Sequence, residues 1–268
     1  MIYEGFMFFN ELDVLDIHLQ EMDRIVDKFI LVESHIKHDG GRKPLYYADN
    51  SARFSEFKHK IIHIVTDDIE RLNENKLWCS RQERDDTNRN HIKHGLKDAH
   101  PDDIFIHSDV DEIANAVKLS SVINAPDFDA SKIYCCQMRL FQYYFNLEVT
   151  SRIWQGNTLT RVGNLKTVLA LRNERLNGQN IMIPNCGWHF SYMGSPELIL
   201  LKLKTMTDTE RHNYTLQEVL EFIENKKDVG ILCQAWRDVP KMEYVNIDML
   251  PKYVLQNMDK FSSYIGAI

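Results

Sequence analysis

The stretch IFIHSDVDEIAN, residues 104–115, runs four largely apolar residues into three carboxylates, Asp109, Asp111 and Glu112, within four positions. Like charges this close repel, so the turn needs water, a basic partner or a bound cation to offset them. Three earlier stretches have the same apolar start: IYEGFMFF (2–9), KFILVES (28–34) and KIIHIVTDD (60–68). Between the first two, Leu12, Leu15, Leu19 and Met22 fall at helical spacing with acids on the outer face. A long polar helix is predicted over residues 78–99, anchored by Trp78, Ile92 and Leu96. Strand and helix thus alternate through the first 112 residues, which predicts an α/β fold with a largely parallel sheet covered on both faces. In such sheets ligands bind outside the carboxyl ends of the strands. Asn10, Glu11, Glu33, Ser34, Thr66, Asp67, Asp109 and Asp111 all fall at those ends.

Beyond residue 120 the pattern changes. Residues 131–148, SKIYCCQMRLFQYYFNLE, are rich in β-formers and aromatics, NLKTVLALRN (164–173) reads as another strand, and CGWHFSYMG (186–194) as a short aromatic strand. Ser195, Pro196 and Glu197 then open a helix as N-cap, first position and first-turn acid. A second amphipathic helix is predicted from Thr215, and a closing helix over 250–265. No linker rich in Gly, Pro or Ser divides the chain. The expectation is one domain over 1–268, with a ligand-binding half to residue 119 and a mixed α+β elaboration from 120 carrying C-terminal helices.

The 268 residues carry a net charge of −7, which argues against a protein that coats nucleic acid. Five cysteines without a CxxC pair read as reduced thiols in a cytosolic setting, or as a fragment of a longer secreted chain. The amino terminus has no basic region ahead of an apolar core, and no run approaches a membrane span, so a soluble, intracellular chain is expected.

Asp109 and Asp111 lie two apart, so in an extended turn both carboxylates face one point. Mg²⁺ and Mn²⁺ prefer oxygen ligands and bind through one or two carboxylates plus substrate phosphates. The competing reading makes these acids caps of a helix over Glu112–Leu119.

Five blocks in order, FNELDVLDIHLQEMDRIVDKFILVES (9–34), KPLYY (43–47), SDVDEI (108–113), GWHFSYMGSPELILLKLKT (187–205) and LPKYVLQN (250–257), resemble glycosyltransferase family 17. The resemblance implies a GT-A type fold and a nucleotide-sugar donor, UDP-GlcNAc in the family's animal members. It also implies a glycan acceptor, inversion at the anomeric carbon, and Mn²⁺ or Mg²⁺ at Asp109 and Asp111. Inverting transfer needs a carboxylate base for the acceptor hydroxyl; Glu148 and Glu197 are the candidates on the acceptor side. Arg81, Arg84 and Asn88 form a polar stripe for donor phosphate or uridine, or else a solvated helix face. His189, in GWHFS, is a third metal ligand or a core residue. Asn10, Glu11 and Glu33 join Asp109 as donor-side candidates. Trp154, in a polar stretch, is the expected exposed aromatic. Two rival readings are a sugar-phosphate nucleotidyltransferase and a non-catalytic carbohydrate-binding protein.

Overall fold

The computed structural model describes residues 1–66, 81–206, 213–228 and 241–267. Four parallel strands form one side of the sheet: β1 (Ile2–Met7), β2 (Lys28–Ser34), β3 (Ile61–Thr66) and β4 (Ile104–His107), in the spatial order β3-β2-β1-β4. The helix Leu12–Met22 covers one face through Leu15, Leu19 and Met22, which are buried among Phe6, Phe29 and Leu31. Ile92 covers the other with Tyr3, Ile30 and Phe105. The expected polar helix is an α-helix over Arg81–His91 that tightens into a 3₁₀ stretch over Ile92–Leu96; its predicted start at Trp78, like Asp67, lies outside the described residues.

The chain then departs from expectation. Glu112 does not open a helix. Residues Glu112–Ala114 form β5, which pairs antiparallel with β9 (Gly187–Ser191), and the helix that follows is Ala116–Ile123, capped by Asn115 through the Lys118 N–H. Gly187, at φ 153°, lets the two strands touch, because a Cβ there would lie 2.1 Å from the Ile113 carbonyl oxygen. Residues 131–148 split into β6 (Tyr134–Gln142) and the start of β7 (Leu147–Arg161). The expected strand over 164–173 is a helix instead, Val168–Glu174: Thr167 caps it at the Ala170 N–H, and Val168 and Leu171, three apart, share one buried face. A short apolar run does not distinguish the two states by periodicity alone. Two short strands escaped the sequence pattern, β8 (Ile181–Ile183) beside β6 and β10 (Met242–Tyr244) beside β7. The helices Pro196–Thr205, with Ser195 as cap, and Leu216–Glu224, with a Thr215–Glu218 capping box, form as predicted. The closing helix is only Lys252–Gln256, because Leu250, Val254 and Phe261 pack into the Phe145–Phe190 cluster along an irregular path.

The full order β3-β2-β1-β4-β7-β6-β9-β5 puts four strand spacings, about 19 Å, between β4 and β5. Only residues 108–111 join these strands, and five fully extended residue steps reach about 18 Å at most. The Glu112 N–H also turns back to the Asp109 carbonyl at 2.9 Å. The sheet therefore curls, bringing its far edge over the end of β4. The architecture is the expected α/β sheet, parallel from β1 to β4, with a mixed second half. Among the described residues, no helix is long and apolar enough to cross a membrane.

Candidate active site

The curl leaves a cleft of about 650 Å³ at the carboxyl ends of β1, β2, β4, β6 and β9, a size suited to a small-molecule ligand. Asp109, Val110 and Asp111 line it together with Glu11, Asn88, Arg89, Gln142, Trp154, Arg172, Arg175, His189, Tyr192, Lys202 and Asp228.

The crowded acids are offset by the chain's own cations. Arg89 donates from Nη1 to Asp109 Oδ1 at 2.5 Å, and Arg172 from Nη2 to Asp109 Oδ2 at 3.2 Å. Arg89 also reaches both oxygens of Asp85 at 3.4 Å and sits 2.9 Å from His107 Nε2. An arginine only donates, so that ring nitrogen accepts and His107 is neutral; burial and the Arg89 charge hold its pKa well below the usual range. Burial alone would raise the Asp109 carboxyl, but Arg89 and Arg172 hold it well below the ordinary carboxylate range. Lys202 donates to Asp111 Oδ2 at 2.8 Å and stands 3.2 Å from Glu11 Oε1, while His189 Nε2 lies 3.5 Å from Asp111 Oδ1. Against the cost of burial, Lys202 and His189 likewise lower Asp111. Glu112, 1% exposed, accepts from Trp154 Nε1 at 2.7 Å, Arg175 Nη1 at 3.1 Å and the Asp109 N–H at 3.2 Å. Burial and the neighbouring Asp109 push its pKa up. It is therefore a fixed strut of the turn rather than a helix cap. Beneath the turn, His18 donates from Nδ1 to the Val110 carbonyl at 2.8 Å and pairs with Glu4 at 3.1 Å, both residues fully buried.

A different arrangement surrounds Asp228, which is 1% exposed and accepts from Gln142 Nε2 at 2.9 Å. Gln142 and Ser191 are paired at the ends of β6 and β9, and the next residue of each strand, Tyr143 at φ 67° and Tyr192 at φ 54°, turns left-handed. Bulky residues pay for that conformation, and such strain gathers at functional sites. The Tyr143 hydroxyl donates to the Lys227 carbonyl at 2.7 Å, fixing the backbone beside Asp228.

Of the residues singled out in the sequence, the cleft gathers Glu11, Ser34, Asn88, Asp109, Asp111 and His189. Trp154 lines it too, half-buried, 4.3 Å centroid to centroid from His189 and under the Arg175 guanidinium. The others lie off its lining. Glu33 accepts from the Tyr47 N–H and pairs with His63 and Lys43, which makes it the cap of a short helical turn. Arg81 donates to the Met206 carbonyl and Arg84 to the His38 carbonyl. The Asn10 N–H donates to the Glu11 carboxylate. Glu148 makes a two-point pair with Arg139 at 2.7 and 2.5 Å. Glu197 stands in the first turn of its helix, on the solvent side.

Arg89, Arg172, Arg175, Lys202 and Asp228 were not singled out. Arg89 carried one signal, its placement four residues after Asp85 on a helix. Arg172 and Arg175 are three apart, a helical spacing hidden by the strand reading. Lys202 and Asp228 are brought in by tertiary structure alone.

The sequence model of glycosyltransferase family 17 matches residues 1–265. The chain belongs to this family. It is also similar to the β-1,4-mannosyl-glycoprotein 4-β-N-acetylglucosaminyltransferase of Homo sapiens, 25% identical over 295 residues, which cover 94% of this chain and 52% of that protein. The Rattus norvegicus protein of the same name is 25% identical over 293 residues, with the same coverage. The chain thus spans about half the length of the curated relatives it matches. Among solved structures, a 4-diphosphocytidyl-2C-methyl-D-erythritol synthase superposes with a TM-score of 0.38 at 13% identity, covering 69% of this chain and 88% of that one.

A divalent cation, which the family 17 resemblance implies, meets a mixed situation. The donor chemistry suits it: two carboxylates and an imidazole share the cleft, and His189, 7% exposed, leaves Nδ1 without a hydrogen bond. As the side chains stand, though, the described residues gather no group of three or more ligands close enough to hold a metal ion. The acids are turned to Arg89, Arg172 and Lys202 instead.

Proposed function

We propose that this family 17 chain transfers N-acetylglucosamine from a UDP-sugar to a hydroxyl of a glycan acceptor, with inversion. One observation carries the reading: at the carboxyl ends of the strands, acids and cations share a cleft large enough for a nucleotide sugar. Transfer releases a nucleoside diphosphate, and fixed positive groups that meet developing negative charge lower the barrier. Arg172 and Lys202 reach into the cleft with part of their charge spent on Asp109 and Asp111, so a diphosphate competes for them. Arg89 holds Asp109 from beneath. Trp154, backed by His189 and Arg175, offers a flat face to a sugar ring. Asp109, Asp111 and His189 would hold Mn²⁺ or Mg²⁺, which when bound supplies Lewis-acid stabilisation of the leaving diphosphate.

The base that takes the acceptor proton is Asp228 in this reading, in place of Glu148 and Glu197. Asp228 lines the cleft, and the Gln142 amide holds its carboxylate in place. The test is turnover of UDP-GlcNAc against a panel of glycan acceptors with Mn²⁺ present, beside the same assay with UDP-glucose, UDP-galactose and GDP-mannose. Transfer from UDP-GlcNAc with a β-linked product is the expected result. A retained anomeric configuration, or transfer only from another sugar nucleotide, overturns it.

A further inference from the structure

Lys202 occupies an unusual position for an ammonium group. It lies on the last turn of the Pro196–Thr205 helix, its side chain 12% exposed, between Asp111 and Glu11, which are 9% and 11% exposed. Two carboxylates share one positive charge there. His189 approaches the other oxygen of Asp111 at 3.5 Å, and the Tyr192 ring lies 5.5 Å from Nζ. The ammonium thus sits on the carboxylate to which the family reading assigns a divalent ion. A divalent cation and an ammonium repel strongly at that range, so the two compete for Asp111.

The neighbouring cations differ in what they can do. Arg89 is 2% exposed and is bound in a fork to Asp109 and Asp85 beside His107. Moving it would strand a buried carboxylate. A lysine is a compact charge on a flexible four-carbon stem with three rotatable donors, which can change partners by rotating its own side chain.

We propose that Lys202 is a place-holding cation: it neutralises Asp111 and Glu11 until donor and metal arrive, then gives Asp111 to the metal and moves its charge to the donor diphosphate. This rests on the donor reading above. Metal and nucleotide then bind cooperatively, because the diphosphate gives the displaced ammonium a new partner.

The test is Mn²⁺ titration of the full chain followed by the free-Mn²⁺ electron paramagnetic resonance signal, with and without UDP, for the wild type and Lys202→Met. Without UDP, K202M is expected to bind Mn²⁺ at least about tenfold more tightly than the wild type. The tightening of Mn²⁺ by UDP, expected to be marked in the wild type, should shrink in K202M. Lys202→Arg, which keeps the charge, should stay as weak for Mn²⁺ as the wild type. If K202M does not fold, Lys202→Gln, also neutral, gives the same reading. Mn²⁺ affinity in the neutral variant equal to or below that of the wild type overturns the proposal, and so does the absence of Mn²⁺ binding by every variant. UDP that fails to bind the wild type while the neutral variant gains Mn²⁺ would overturn the donor reading and leave Lys202 as a place-holder for the metal alone.

Discussion

The cleft holds its carboxylates in two ways. After β4, Asp109 and Asp111 are tied to Arg89, Arg172 and Lys202, and Glu112 is clamped by Trp154 and Arg175. Beyond β6, Asp228 is positioned by the Gln142 amide and by a backbone that the Tyr143 hydroxyl pins in place. A carboxylate tied to cations is a poor proton acceptor and a good organiser of charge. In the proposed reaction Asp228, aimed by the Gln142 amide, is the group that takes the acceptor proton. This difference separates charge handling from acceptor activation in the proposed reaction, and each half can be broken separately.

The largest effect is expected at Asp228. Asp228→Asn keeps the shape and still accepts from Gln142, so melting temperature and UDP affinity should stay near wild type while kcat falls about 10²- to 10⁴-fold, the usual contribution of a general base. Unchanged kcat in this variant would erase the distinction between the two sets of acids. Next comes Arg89→Met. Removing one partner of a buried ion pair typically costs about 3–5 kcal/mol, because the other charge is left uncompensated. Urea unfolding should show a loss of that size, and a loss under about 1 kcal/mol would mean that Asp109 and Asp85 do not depend on Arg89. A smaller effect is expected for Gln142→Leu. With Asp228 present but no longer aimed, kcat should drop about 10- to 100-fold with the donor KM unchanged, whereas a purely structural role would move stability and leave the ratio of kcat to KM intact.

The sequence showed one of these arrangements and concealed the other. Asp109 and Asp111 were legible because strand-end position and two-residue spacing are local facts, and β1 to β4 follow from apolar runs separated by a periodic helix. Their counter-ions were not. Arg172 lies 63 residues from Asp109, and Lys202 91 residues from Asp111; both are brought there by the curl of the sheet. The strand predicted over 164–173 also hid the helical face that Arg172 and Arg175 share. Glu148 and Glu197 looked suitable as bases because each stands at the end of an element, but Arg139 claims the first and solvent surrounds the second. Asp228 has no local signature, since the contact that positions it comes from Gln142, 86 residues earlier.

The weakest expected effect lies beneath the turn, and pH exposes it. Burial pulls the pKa of His18 down, but the Glu4 carboxylate and the Val110 carbonyl outweigh it, so the pKa in the folded protein is raised above 6.5. The groups facing the ring, Glu4 from β1, the Val110 carbonyl and, farther off, Asp111 from the turn, all favour the imidazolium. A raised folded-state pKa means that the stabilisation is fully present below the unfolded value and is lost as pH rises through the folded one. Urea unfolding from pH 6 upward should therefore show a decline in stability, with Asp109 and Asp111 progressively less well held as the imidazolium beneath Val110 loses its proton. His18→Gln should be less stable at pH 6 and flatten that decline. A wild-type profile as flat as that of the variant would show that His18 is neutral throughout, and that the turn is held by the cations above it alone.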